Sequence, residues 1–341
     1  MQHTQVQLHT VKAYSHAQDA TVQLKQLENS KIQSQDINYT PHKPGGPMKR
    51  IFNYIIPTEY DGRTLLSFLK DKQYSAPIIT NLKRTENGIL LNGAWGRVRD
   101  ILHAGDQLSI TLIETESSEN IVPTNLPLDI VYEDEDILII NKNANTPIHP
   151  SQGNYDNTLA NAVAYYFQQK GEAFTYRCIN RLDRDTTGLL ILAKHMHSAS
   201  ILSSMVQNRE IHREFLAVAC GNVPLEGSIV APIARVDGST IERCVDEERG
   251  EYACTHYKTL LHKNGYSLVS LKLETGRTHQ IRVHMKYIGH PLPGDFLYNP
   301  DYTAINRQAL HSHRLSFKHP ISGEMMEFVA ELPADMKKII E

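Results

Sequence analysis

The chain has 341 residues, 40% of them hydrophobic, with 35 Lys and Arg against 38 Asp and Glu for a formal charge of −3. That composition is ordinary for a globular protein, with length enough for two domains. Its longest apolar runs, such as Gly188–Ala193, are strand length, so no membrane span is expected. Residues 1–30 are polar and lack the apolar core of a secretory signal, which predicts a cytoplasmic protein. Cys178, Cys220, Cys244 and Cys254 form no CxxC pair, which argues for reduced thiols and against a zinc knuckle or disulfide framework. With a pI near 6.6, any contact with nucleic acid has to come from a local basic patch.

Residues 1–47 show no sustained period and end in the breaker run Pro41-His42-Lys43-Pro44-Gly45-Gly46-Pro47, which predicts a disordered tail. From 48 to 113 the pattern is that of a small α+β unit. It predicts a strand over Ile51–Ile56, a helix over Arg63–Lys70, a helical stretch over Pro77–Leu82, and strands at Ile89–Leu91 and Gln107–Leu112. The order of these elements, with the segments LLNG and HAGDQLSI, resembles a small RNA-binding domain shared by a ribosomal small-subunit protein and many RNA-modifying enzymes. The resemblance implies phosphate contacts, for which Lys70, Lys83 and Arg84 are candidates, joined by Lys72, Arg97 and Arg99.

The acidic, Pro-punctuated stretch 114–127 reads as an interdomain linker, and a larger domain is expected over 128–341. Its strands are predicted at Ile137–Asn141, Gly188–Lys194, Glu214–Cys220 and Tyr266–Leu273. Helices are predicted near Leu159–Gln169, His195–Gln207 and Thr278–Ile288.

The segment most dense in chemistry is Asn180-Arg181-Leu182-Asp183-Arg184-Asp185-Thr186-Thr187-Gly188, which feeds directly into the apolar strand. Carboxylates between cations, on a loop anchored by a buried strand, suit a nucleophile or base held at a rigid edge. Loop chemistry alone favours an Asx turn with surface ion pairs. The wider pattern decides: the segment resembles the His-Arg-Leu-Asp-x-x-Thr-Ser-Gly motif of the RluA/RluD-type pseudouridine synthases. Leu273-Glu274-Thr275-Gly276-Arg277-Thr278-His279-Gln280-Ile281-Arg282-Val283-His284 and Gln308–Phe317 match two further motifs of that family in order and spacing.

The resemblance spans about 128–332. It implies an α+β fold whose catalytic domain is a mixed, mainly antiparallel sheet with flanking helices. It also implies uridine isomerisation in ribosomal or transfer RNA without metal or other cofactor, and a monomer. Asp183 takes the position of the catalytic aspartate and Arg282 that of its partner. Arg181 is expected to hold the flipped nucleotide, Phe215 to stack on it, and Arg277 and His279 to bind substrate. Relatives generally carry Lys and Tyr where this chain has Arg213 and Phe215, and Asn180 replaces the usual His.

Read without the family, Thr278 would cap a helix that Gly289 ends, burying Ile281, Met285 and Ile288 and presenting His279, Arg282 and Lys286 as a basic face. Two other functions fit parts of the sequence: a non-catalytic RNA assembly factor on the same fold, and a zinc hydrolase using His195-Met196-His197 and His311-Ser312-His313. An HxH pair with no further ligand at coordinating spacing is a weak signal.

Overall fold

The computed structural model describes residues 46–118 and 120–341, so the tail predicted over 1–47 lies almost wholly outside the described residues. Gly46, near its end, is bonded: its N–H donates to Gly171 O and its carbonyl accepts from Ala173 N.

The first unit is an antiparallel sheet of β1 (Met48–Ile55), β2 (Ile89–Leu91), β3 (Ala94–Trp95) and β4 (Gln107–Glu114), in the order β1-β4-β2-β3. Helices α1 (Leu65–Asp71) and α2 (Ala76–Arg84) cover one face. Thr64 starts α1 by accepting from Ser67 N, and Pro77 stands in the first turn of α2, where its missing N–H costs nothing. Strand alternation sends Phe52, Ile89 and Ile110 into the core between sheet and helices. The same alternation leaves Ile51, Ile55 and Trp95 on the outer face.

The second sheet has nine strands: β5 (Ile130–Glu133), β6 (Ile137–Lys142), β7 (Thr187–Ala193), β8 (His212–Cys220), β9 (Glu226–Val230), β12 (Cys254–Lys263), β13 (Tyr266–Leu273), β14 (Leu310–Lys318) and β15 (Met325–Val329). Strands β10 (Ile233–Arg235) and β11 (Arg243–Val245) form a separate ribbon. The main order is β5-β6-β7-β14-β8-β13-β12-β9, with β15 on β14, and only the β7–β14 pair is parallel. Every residue of β7 is buried because both faces are covered. Leu190 and Leu192 join the core beneath α3 (Leu159–Lys170), while Leu189 and Ile191 join the one beneath α4 (Met196–Gln207). Gly188, at φ 109°, admits the close approach of β14, since a Cβ there would stand 2.2 Å from Ser312 O.

The two sheets are fastened together. Arg50 on β1 donates from Nε and Nη2 to the Asp136 carboxylate, at 2.8 and 3.2 Å. The Glu114 carboxylate accepts from Arg177 and from Met196 N. Within the acidic stretch that follows, the Ser117 and Ser118 hydroxyls accept from Phe174 N and Tyr176 N, so part of the segment read as a linker is laid along the second unit. The HxH pairs are packing residues: His195 caps α4 and reaches Asp136, His197 stacks on Tyr74 at 3.8 Å, and His311 and His313 lie against Ala330 O. None of the described helices is long and apolar enough to cross a membrane.

Candidate active site

Asp183 sits in the turn before β7, where Thr186 N donates to its carbonyl. Three bonds from a buried amine fix this turn: Lys142 Nζ donates to Asn143 O, Thr146 O and Arg184 O, at 2.9, 3.0 and 2.7 Å. Burial pulls the Lys142 amine down to about 7, against the opposing charges of Asp185 and Asp183. Asn180, the residue at the usual His position, is buried, and its Oδ1 accepts from Ile191 N, so it completes the edge of β7.

The cations around this carboxylate are not the sequence neighbours that loop reasoning suggested. Arg184 turns to Asp185 and Arg181 is exposed, whereas Arg282, distant in sequence, donates from Nη1 to Asp183 Oδ2 at 2.8 Å. Arg282 is not part of a solvated basic face either: its side chain is 1% exposed. Its Nε and Nη2 both donate to Asp295 at 2.7 Å, and its guanidinium lies 5.0 Å from the Tyr298 ring. Burial would lower the guanidinium's pKa, but the Asp295 hydrogen bonds and the charges of Asp183 and Asp295 raise it well above the ordinary value. Asp295, fully buried, also accepts from Leu297 N and Tyr298 N. Its preceding Gly294 has φ 71°, and a Cβ there would meet Arg307 O at 2.2 Å. Sequence reasoning missed Asp295 and Tyr298; the Gly294-Asp295 turn was the available sign.

Helix α5 (Gln280–Tyr287) starts two residues later than predicted. Thr278 is not its cap; His279 occupies that position at φ 58° without a side-chain capping bond. Gln280 does the fastening: its Oε1 accepts from Arg277 N and Thr275 Oγ1, and its Nε2 donates to Cys254 O and Thr255 Oγ1. His279 Nε2 thereby lies 3.8 Å from Asp183 Oδ2, with Nδ1 2.9 Å from the Tyr298 hydroxyl, which also accepts from Arg243 N. Burial lowers the pKa of His279, opposed by the charge of Asp183. Arg277 is occupied elsewhere, paired with Glu251 and bonded to Tyr252 O.

Asp183, His279, Gln280 and Arg282 line an open cleft. Asp183 is 29% exposed in it, and Arg181, Arg213 and Phe215 form part of its wall. Phe215 is 4% exposed and belongs to the main core, so its ring is a packing residue with an edge on the cleft. Arg213, two residues earlier on the same face of β8, ends beside Gly276. Among the described residues no carboxylate or carbonyl pairs with it, and burial pulls its guanidinium below the ordinary value. Lys70, Lys83 and Arg84 are exposed on the small unit and do not line this cleft.

Residues 136–287 match the family described as RNA pseudouridylate synthase. An uncharacterised RNA pseudouridine synthase of Bacillus subtilis is 41% identical over 279 residues, covering 82% of this chain and 98% of the relative. The ribosomal large subunit pseudouridine synthase D of Escherichia coli is 40% identical over 268 residues, covering 74% of this chain and 82% of the relative. Among solved structures, the human RNA pseudouridylate synthase domain containing 1 superposes with a TM-score of 0.52 at 27% identity, over 60% of this chain and 83% of that one. An Asp–Arg–Asp chain at the cleft, on a fold and sequence shared along most of the length of such relatives, makes this chain a member of the RNA pseudouridine synthase family.

Proposed function

We propose that this cleft isomerises uridine in large-subunit ribosomal RNA, with Asp183 as the catalytic carboxylate. The carrying observation is the state of that side chain. One oxygen, Oδ2, is bonded to Arg282, while Oδ1 has no hydrogen bond among the described residues and the group is open to the cleft. Isomerisation breaks the bond from ribose C1′ to uracil N1, turns the base, and forms a bond from C1′ to C5; the C5 proton leaves and N1 gains one. Attack on the ribose and removal of a ribose proton both use a free carboxylate oxygen of this kind.

Arg282 keeps the carboxylate oriented, itself held by Asp295. His279, kept neutral by burial at neutral pH, is placed to bond the ribose or base beside Asp183. The edge of Phe215 supports the flipped base, exposed Arg181 takes its place in the RNA, and Arg213 receives a uracil or phosphate oxygen. Arg277 contributes to the cleft rim through the loop it braces. The small unit, with Lys70, Lys83 and Arg84, acts as an RNA-binding domain, and the enzyme works in the cytoplasm as a monomer. The choice of ribosomal RNA rests on the relatives named ribosomal large subunit pseudouridine synthase D.

Mapping pseudouridines in the RNA of cells with and without this protein tests the assignment. One or a few large-subunit sites should disappear and return with the parent chain but not with Asp183→Asn. Loss confined to transfer RNA would overturn the substrate, and rescue by Asp183→Asn would overturn the carboxylate.

A further inference from the structure

The outer face of the small sheet has no cover among the described residues, and its chemistry is specific. Trp95, the only tryptophan of the chain, is 72% exposed on the edge strand β3. The register sets it beside Leu90, Ser109 and Asn53 in one cross-strand row, flanked on β1 by exposed Ile51 and Ile55. A large indole left in water is an unusual expense for a domain with an intact core on the sheet's other face.

Charge separates the candidate occupants. Residues 46–113 hold nine Lys and Arg against six Asp and Glu, although the whole chain is net acidic. Arg97 and Arg99, two and four residues beyond the indole, are exposed and have no carboxylate within ion-pair distance among the described residues. The same holds for Lys83 and Arg84 at the end of α2. An aromatic face beside unneutralised guanidinium groups matches a strand that offers an unpaired base and a phosphate together.

We infer that Trp95 is a stacking platform for an unpaired nucleotide of the RNA substrate, outside the cleft that holds the target uridine, with Arg97 and Arg99 on the adjoining phosphates. This rests on the reading of the small unit as an RNA-binding domain and adds the base-contacting residue that its cations alone do not provide. Phosphate contacts set affinity and salt dependence, whereas an indole selects unpaired over paired strands.

Because the chain has one tryptophan, its intrinsic fluorescence reports this position alone. Full-length protein would be titrated with single-stranded polyuridylate and with an RNA duplex of equal length. Affinities of Trp95→Ala, Trp95→Phe and the Arg97→Gln/Arg99→Gln pair would be measured across salt concentrations. Stacking predicts quenching by the single strand, and about a tenfold or greater rise in Kd for Trp95→Ala. It also predicts an unchanged salt slope for that variant, retention of most affinity by Trp95→Phe, and unaltered turnover at saturating RNA. The arginine pair should instead flatten the salt slope.

Absence of quenching, or a parental Kd for Trp95→Ala while the arginine pair weakens binding, overturns the stacking role and leaves the domain reading standing. A Trp95→Ala variant that changes self-association and not RNA affinity overturns it in favour of a protein partner. If neither set of variants alters binding, the stacking role and the Arg97 and Arg99 contacts both fall, and unchanged binding by a Lys70→Gln/Lys83→Gln/Arg84→Gln variant as well would overturn the RNA role of the small unit.

Discussion

Two arginines in one cleft have opposite fates. Arg282 is buried and fully engaged, with three bonds to two carboxylates, one of them Asp183. Arg213 lies on the facing strand of the same cleft without a partner among the described residues. A buried charge is tolerable when paired and hydrogen-bonded, and costly when it is not. The satisfied guanidinium therefore holds geometry, and the unpaired one, half-buried on the open cleft, keeps bonding capacity that water or a ligand can use. On the proposed reading, stability and binding are divided between the two walls of the cleft.

Breaking the engaged side should give the largest effect. Arg282→Met leaves Asp295 buried without its cation, which predicts a loss of about 3–5 kcal/mol in stability by denaturant unfolding, together with loss of turnover. Phe215→Ala should cost about 3 kcal/mol or more, because the ring is core as well as cleft wall. Its activity has to be measured well below its unfolding midpoint, and a variant of parental stability would contradict the packing described. Arg213→Gln removes a cation that nothing in the protein compensates, so stability should hold or rise slightly while KM for RNA increases about tenfold or more. Parental KM with reduced stability would show that Arg213 is a structural residue.

The effect that is smallest at neutral pH tests the same rule far from the cleft. His197 is buried against Tyr74, its Nδ1 has no partner among the described residues, and burial lowers its pKa to about 3. Its unfolded form takes a proton near pH 6.5 and its folded form does not until about 3, so stability falls as pH drops through that window. His197→Phe keeps an aromatic stack and removes the titration. Thermal unfolding of the variant should show a shallower acid loss than the parent, and an identical pH profile would remove His197 from the account.

What the sequence disclosed follows from what is local. Strand alternation and apolar runs placed β2 and β13 at their observed limits, and the other predicted elements within a few residues. Strands β3, β10 and β11 carry too few residues to show a period; β5, β9, β12, β14, β15 and the C-terminal helix α6 (Ala334–Ile340) were not predicted either. At the site, loop composition pointed to the segment around Asp183 but paired it with the wrong cations; only the family motif indicated Arg282, 99 residues away. Asp295 fell outside those motifs, because its role depends on a turn that brings its carboxylate under α5. The cap of α5 was misplaced because Gln280, not Thr278, satisfies the loop before it.

The central claim is that Asp183 performs the chemistry on a frame that stands without it. The most direct measurement is single-turnover pseudouridine formation by purified parent and Asp183→Asn proteins on large-subunit ribosomal RNA, with RNA affinity and unfolding recorded on the same samples. The parent should form product and the variant none, with RNA Kd within a few-fold of the parent and a folded chain. Product formed by Asp183→Asn at the parental rate would contradict that claim.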